Sequence, residues 1–190
     1  MTPHKSGKTI HAALVAIKGA GVLIIGPPGA GKSDLALRLI DGGARLVADD
    51  RVEPFVKSGT LCGRAPEKLA GLLEVRGAGI ARLPFLRVAP VRLVVMLVAE
   101  RKRIERLPDA RPHHLAGFEA FGLPVLSLSA FDASAPARIR LALSQLLLPG
   151  KGKNMGRGPA GIWDFPSDAV MVRARTKAAR RGKRADKKPA

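Results

Sequence analysis

Cysteine, acidic residues and long apolar runs are all scarce in this sequence. Cys62 is the single cysteine of the 190 residues, which excludes an internal disulfide framework and leads us to expect a reducing compartment, the cytoplasm. No run of about 18 uninterrupted apolar residues occurs, and the chain starts with a polar stretch, so we expect neither a membrane span nor a secretory leader. Apolar residues still make up 46 % of the chain, which is enough for a packed core and excludes wholesale disorder.

The shortage of acidic residues makes the chain strongly basic. Lys and Arg number 33 against 15 Asp and Glu, a net charge of +18. Half of this charge lies in residues 151–190, where 12 basic side chains accompany three acidic ones. Such a composition cannot bury enough apolar area to offset the entropy of ordering. We therefore predict one folded domain over residues 1–149 and a mostly disordered basic tail over residues 150–190. The tail either only solubilises the protein or contacts RNA or another partner.

The body of the chain has the mixed pattern of an α/β domain. Apolar, β-branched stretches predict strands at residues 11–17, 22–25, 45–48, 91–98 and 124–128, with short strands and loops over 51–90. The first two strands are close enough to form a hairpin across a turn at 18–21. Helices are predicted from an apolar face over 35–40, ended by a glycine pair, and over 136–148. The charged residues 101–115 are predicted to form a loop.

A complete phosphate-binding motif, G-x-x-x-x-G-K-[ST], lies between the second predicted strand and the first predicted helix. It consists of Gly26, Pro27, Pro28, Gly29, Ala30, Gly31, Lys32 and Ser33. Glycines let the backbone wrap closely around phosphates, and the start of the helix adds positive potential. The lysine of this motif reaches the β and γ phosphates, and the hydroxyl coordinates Mg²⁺. The sequence therefore predicts binding of a nucleoside triphosphate with Mg²⁺.

Phosphate transfer also needs a carboxylate near the phosphates, and two candidates follow predicted strands. Glu100 follows the long apolar strand at 91–98, in a position typical of a carboxylate that holds Mg²⁺ through water. Asp49 and Asp50 follow the strand at 45–48 as an adjacent pair, which repels itself unless a cation or proton intervenes. Beside Mg²⁺ and phosphates, such a pair could supply both a metal contact and a general base.

Three stretches together resemble one family. Residues 21–37 and 45–52 resemble the catalytic domain of HPr kinase/phosphorylase. Residues 73–80, LEVRGAGI, are similar to the second signature of that family, which is usually close to LEIRGLGI. His11 falls where the family has a functional histidine, and the resemblance extends over roughly residues 5–148. It implies an α/β, P-loop kinase-like domain with a mixed central sheet and flanking helices.

The resemblance implies an enzyme that transfers phosphate from ATP to a serine of HPr, the phosphocarrier of the sugar phosphotransferase system, or to a nitrogen-branch paralogue. The reverse reaction would be phosphorolysis by inorganic phosphate, which yields pyrophosphate. Asp49 matches the catalytic aspartate of the family, which accepts the serine proton in one direction and returns a proton in the other. Asp50 would support it, Lys32 would act on the phosphates, and His11 would contact phosphate or tune Asp49.

The remaining family positions can also be matched. Ser33 and the residue after it hold Mg²⁺ in the family, and this second residue is Asp34 here instead of the usual Glu. Glu74 and Arg76 match the signature loop, so that Arg76 could contact phosphate or the incoming protein. Members of the family commonly form hexamers, which implies a homo-oligomer.

Some family features are not matched, and they keep other functions open. Only ten residues precede His11, so we do not expect the family's N-terminal domain; short forms with the catalytic domain alone exist. A catalytic arginine before the C-terminal helices has no counterpart in residues 128–136, which leaves the phosphorylase activity and the hexamer open. The alternatives are a small-molecule P-loop kinase, with residues 101–106 as a lid, or a nucleotide-gated regulator that binds nucleic acid through the tail.

Overall fold

The computed structural model describes residues 9–99, 104 and 112–147. The strands are β1 Ile10–Ile17, β2 Ala20–Ile25, β3 Arg45–Ala48, β4 Arg51–Lys57, β5 Thr60–Arg64, β6 Leu72–Val75, β7 Gly79–Arg82, β8 Ala89–Leu97, β9 His113–Leu115, β10 Phe118–Leu123 and β11 Val125–Leu128. The helices are α1 Lys32–Asp41 and α2 Ala135–Leu146, with a 3₁₀ turn at Glu67–Leu69. The predicted tail, Glu100 and most of the predicted charged loop lie outside the described residues.

A seven-stranded mixed sheet forms the centre of the domain. Its order is β11-β8-β2-β1-β4-β5, with β3 also paired to β1. Strand β8 runs parallel to β2 and β11, while β1 runs antiparallel to β2, β3 and β4. A further antiparallel pairing of β5 with β8 closes the circuit of strands from β8 through β2, β1 and β4. The predicted α/β class with a mixed central sheet is confirmed.

Both faces of the sheet are buried. Neighbouring residues of a strand point to opposite faces, so burial of consecutive residues shows that both faces are covered. In β1, Leu14 and Val15 belong to two different apolar clusters, and both are fully buried. Helices α1 and α2 cover one face through residues such as Leu35 and Ile139. Such continuous burial explains why β1, β2 and β8 were recognisable as apolar runs without polar alternation.

The first hairpin was predicted correctly, but its turn is tighter than the predicted residues 18–21. Lys18 and Gly19 have positive φ angles of 51° and 82°, as in the two-residue turns that suit the twist of a hairpin. Pairing resumes at once, with Ile17 opposite Ala20. Ala20 and Gly21 therefore belong to β2 and not to the turn.

The prediction of a loop up to residue 115 was wrong at its end. Residues 113–115 form strand β9, which pairs with β10 around a turn at Ala116 and Gly117. Leu115 and Leu123 are each 6 % exposed and pack into the second apolar cluster. Burial of these leucines stabilises the hairpin, which could not be predicted from the charged composition of residues 101–115. The predicted strand at 91–98 and the last helix are confirmed with bounds shifted by one to two residues within the described part of the chain.

The topology brings three described loops to one edge of the sheet. Strands β2, β8 and β11 are mutually parallel, and β3 has the same direction because both β2 and β3 run antiparallel to β1. The carboxyl ends of these strands therefore share one edge, which is where α/β sheets usually bind ligands. The phosphate-loop residues 26–31 follow β2, the aspartate pair follows β3, and residues 129–134 follow β11.

Candidate active site

The phosphate loop joins β2 to α1 in a conformation that requires glycine at its last turn. Gly31 has φ 89° and ψ 26° and caps the start of α1. A β-carbon built on Gly31 would lie 2.9 Å from the β-carbon of Ala130, so a side chain has no room there. The first-turn amides of a helix lack partners within the helix and carry the positive end of its dipole. The loop therefore presents an anion-binding helix start to the cavity.

Lys32 places a cation inside this loop. Its Nζ donates hydrogen bonds to the carbonyl oxygens of Gly26 and Pro27, each at 3.0 Å. The side chain is 7 % exposed, and burial lowers the pKa of the ammonium, while the charges of Asp49 and Asp50 act in the opposite direction. The lysine is thus held close to the backbone that would wrap a phosphate chain.

Asp49 is a buried carboxyl group directly beside the phosphate loop. It is 4 % exposed, and the Ser33 hydroxyl donates to it, with Oγ 3.0 Å from each carboxyl oxygen. The backbone N–H of Glu74 donates to Oδ2 at 3.3 Å. Burial raises the pKa of Asp49, and the charge of Asp50 adds to this effect, while hydrogen bonds from Ser33 and from the backbone of Glu74 and Asp50 oppose it. The group is therefore a stronger base than an exposed aspartate.

The Asp50 carboxylate contacts two side chains, those of His11 and Arg51. His11 Nδ1 lies 3.0 Å from Asp50 Oδ1 and 3.1 Å from the carbonyl oxygen of the same residue. Arg51 Nε lies 3.5 Å from Oδ2. Asp50 has a positive φ of 62°, a conformation that aspartate tolerates better than most residues and that is frequent at functional sites. The repulsion expected within the aspartate pair is thus reduced by separate partners, and His11 contacts Asp50 directly.

Asp34, the second expected Mg²⁺ ligand, lies in the first turn of α1. Its Oδ2 accepts a hydrogen bond from Arg38 Nε at 3.1 Å, one helical turn further on. The carboxylate is about half exposed, so solvent screens its attraction to Arg38 and the ion pair is weak. Asp34 is therefore close to the loop and can exchange Arg38 for another cation at small cost.

The second signature forms a small hairpin of strands β6 and β7. Leu73 is fully buried and fixes this hairpin to the core, whereas the Glu74 side chain is exposed. The link from the signature to Asp49 runs through the backbone N–H of Glu74. Arg76 lies on the turn between the two strands, next to Gly77 with its positive φ of 85°. The sequence identified this segment, but not that its backbone would hold the aspartate.

One cavity of about 370 Å³ collects most of the predicted site residues. The predicted residues that line it are His11, Pro28, Gly29, Gly31, Lys32, Ser33, Asp34, Asp49, Asp50, Glu74 and Arg76. Gly26, Pro27 and Ala30 belong to the loop but are not part of the lining. Residues drawn from four separate segments thus converge on one site.

Three lining residues were missed from the sequence, namely Leu37, Val75 and Phe131. Leu37 follows Asp34 by about one helical turn, and Val75 lies between the two recognised signature residues, so both could have been found by neighbourhood. Phe131 had no such signal, because nothing in the sequence shows that the loop after β11 reaches the phosphate loop.

The oxygen donors of the site fit Mg²⁺ as a substrate-bound ion. Hydroxyl and carboxylate oxygens, as in Ser33, Asp34 and Asp49, are the ligands that Mg²⁺ prefers, and it usually keeps waters and phosphate oxygens besides one or two protein groups. Within the described ranges no set of three or more His, Cys, Asp or Glu side chains is arranged to hold a metal ion. This donor set suits an ion that arrives with phosphates.

Comparison with known proteins identifies the family of this chain. The family described as HPr Serine kinase C-terminal domain matches residues 4–110. The chain belongs to this family. Within the part of this family domain that the structure describes, no helix is long and apolar enough to span a membrane.

Several relatives carry the same name. An HPr kinase/phosphorylase of Brevibacillus brevis is 40% identical over 129 residues, which are 67% of this chain and 40% of that protein. One of Peptoclostridium acidaminophilum is 34% identical over 165 residues, 83% of this chain and 53% of that protein. The chain thus spans about half, or less, of the curated relatives it matches. The solved structure of the Hpr(Ser) kinase/phosphatase from Coxiella burnetii is similar, with a TM-score of 0.66, 26% identity and coverage of 77% of this chain and 94% of that one.

Proposed function

We propose that this chain is an ATP- and Mg²⁺-dependent protein-serine kinase that acts on an HPr-type phosphocarrier protein or its nitrogen-branch paralogue. The observation that carries the proposal is the buried Asp49 carboxyl group, hydrogen-bonded to Ser33 of the phosphate loop. Membership of the HPr serine kinase family and the names of the relatives support the choice of HPr as acceptor.

Nucleotide binding rests on the P-loop-like segment from Gly26 to Ser33. The helix start at Gly31 and the Lys32 ammonium would both attract the phosphate chain of ATP. Ser33 and Asp34 would hold the Mg²⁺ that arrives with it. When bound, this ion would neutralise charge on the phosphates. Because phosphoryl transfer depends mainly on positioning and charge stabilisation, these groups account for most of the required chemistry.

Asp49 would act as the general base toward the acceptor serine. Its pKa is raised by burial, which brings the carboxylate closer to the proton affinity that a base needs near neutral pH. The serine hydroxyl loses its proton to Asp49 while its oxygen bonds to the γ-phosphorus, and ADP leaves. In phosphorolysis the protonated Asp49 would return the proton to the serine oxygen as inorganic phosphate attacks, and pyrophosphate forms.

The other lining residues would support these two steps. His11 and Arg51 would hold the Asp50 carboxylate in place beside Asp49. The backbone of Glu74 holds the base in place. Arg76, on the hairpin turn at the cavity, is in a position to contact phosphate or the incoming protein.

A transfer assay with a matched pair of variants tests the proposal. The protein is incubated with radiolabelled ATP, Mg²⁺ and HPr or its paralogue. We expect label on the acceptor with the wild type and with Asp41→Asn, which makes the same chemical change at the end of α1. With Asp49→Asn we expect transfer to fall by about 100- to 10,000-fold, the usual contribution of a general base, while ATP binding persists. A second incubation of phosphorylated HPr with inorganic phosphate, followed by detection of pyrophosphate, tests the reverse reaction.

Two results would overturn the proposal. Absence of label on both acceptors, under conditions where ATP binds, would exclude the protein-kinase function and favour a small-molecule acceptor. Full transfer by Asp49→Asn would exclude the assigned base.

A further inference from the structure

Phosphate chemistry does not explain the ring of Phe131, which lines the cavity without packing against the core as Leu37 and Val75 do. Phe131 lies in the loop between β11 and α2 and is 71 % exposed. Among the described residues that line the cavity, it carries the one phenyl ring. Single exposed apolar side chains are common and need no explanation by themselves. The position and the support of this one distinguish it.

Phe131 lies directly over the start of α1. A β-carbon built on Gly31 would come within 3.1 Å of Phe131 Cζ and 3.3 Å of Cε1. The ring therefore borders the phosphate loop at the same edge of the sheet, where β2 and β11 both end. A nucleoside triphosphate with its phosphates on this loop must extend its sugar and base outward from it, past the flanking loops.

The backbone on both sides of Phe131 is anchored. Arg38 donates hydrogen bonds to the carbonyl oxygens of Ala130 and Asp132, the two neighbours of the ring. The Asp132 carboxylate is joined to Arg138 at 2.8 Å, and Ala130 is 1 % exposed. An exposed ring on such a fixed backbone is preorganised to contact a ligand, because little further ordering is needed when the ligand binds.

We propose that Phe131 is the stacking surface for the base of the bound nucleotide. The inference rests on the proposed function only in requiring a nucleoside triphosphate on the phosphate loop. Aromatic side chains stack on any base through its π-face, and loss of one such contact by alanine substitution is commonly worth a factor of about 5 or more in affinity. Phe131 offers a single exposed ring, so we expect an effect at the lower end of that scale.

A comparison of ATP with inorganic tripolyphosphate, which lacks sugar and base, tests this assignment. Calorimetric titrations with Mg²⁺ are made on the wild type, Phe131→Ala and Phe131→Trp. We expect Phe131→Ala to weaken ATP binding by about 5- to 20-fold and to leave tripolyphosphate binding within about twofold. Phe131→Trp, which keeps a stacking surface, should retain most of the ATP affinity. Leu141→Ala removes another exposed apolar side chain, outside the cavity lining, and should change neither affinity.

The proposal is overturned if Phe131→Ala leaves ATP affinity unchanged, or weakens ATP and tripolyphosphate equally, which would place the effect on the phosphate loop itself. It is also overturned if Phe131→Ala leaves ATP affinity unchanged but raises the KM for HPr in the transfer assay, because Phe131 would then contact the protein acceptor. None of the titrations includes HPr, so they measure nucleotide binding alone. If serine transfer fails while ATP affinity still depends on Phe131, the kinase function is refuted and the assignment of Phe131 is not.

Discussion

The conformation of Gly31 makes a quantitative prediction about the phosphate loop. In Gly31→Ala, the positive φ of 89° costs an alanine about 1–2 kcal/mol. The new β-carbon would also lie 2.9 Å from that of Ala130, which is 1 % exposed and cannot easily move aside. Such overpacking typically costs about 1–3 kcal/mol. The exposed Phe131 ring can rotate away, so we attribute this second contribution to Ala130. The expected loss of unfolding free energy is about 2–5 kcal/mol.

Gly29→Ala is the matched control within the same loop. Gly29 also has a positive φ, of 77°, but its added β-carbon meets no described atom within 4 Å. Only the backbone cost of about 1–2 kcal/mol should appear there. Urea denaturation of both variants and the wild type measures the difference, since the midpoint shifts with stability when the slope is constant. Equal midpoints for the two variants would refute the reasoning that the site is packed against Ala130.

Three further predictions concern charged groups around the cavity. The raised pKa of Asp49 means that the folded state binds its proton more tightly than the unfolded state. The stability of the wild type relative to Asp49→Asn should therefore be greatest at acid pH and fall as the pH rises through this raised pKa; urea titrations that show the opposite slope would contradict the burial effect. Lys32→Met should weaken ATP binding by about 10- to 100-fold, as expected for loss of charge-assisted hydrogen bonds, and calorimetry that shows an unchanged affinity would exclude its phosphate contact. Arg38→Met should lower the unfolding free energy by about 1–3 kcal/mol, because the Ala130 carbonyl loses its donor; Arg140→Met, which loses one 3.4 Å bond to Leu39, should cost less in the same denaturation assay.

Most of the site could be predicted because its chemistry lies in short, ordered segments. The phosphate loop is a local motif, and a backbone with this spacing of glycines folds in nearly one way around phosphates. The strand before Asp49 was apolar enough to be recognised, so the position of the aspartate pair at a strand end followed directly. The family resemblance placed His11 at the site but led us to expect contact with phosphate or an effect on Asp49. Its contact with Asp50 was not predicted, and the pairing of β1 with β4, which sets His11 opposite Arg51, explains it.

What could not be predicted depends on contacts between distant segments. The bond from the Glu74 backbone to Asp49 needs a hairpin to fold back on the sheet, and main-chain donors leave no trace in side-chain chemistry. The ion pair of Asp34 with Arg38 has the ordinary spacing of a helix pair, which is too common to outweigh a metal role. Phe131 reaches the cavity only because β11 lies two strands from β2 in the sheet. The hairpin of β9 and β10 was hidden because β9 is only three residues long and directly follows the charged residues 101–112.

The proposed reaction in this cavity is the transfer of phosphate from ATP to a serine of a phosphocarrier protein. Mass-spectrometric mapping of HPr after incubation with the wild-type chain, ATP and Mg²⁺ tests this reaction. We expect a single acid-stable phosphoserine that is absent with Asp49→Asn. An unmodified acceptor, or an acid-labile phosphohistidine in place of phosphoserine, would contradict it.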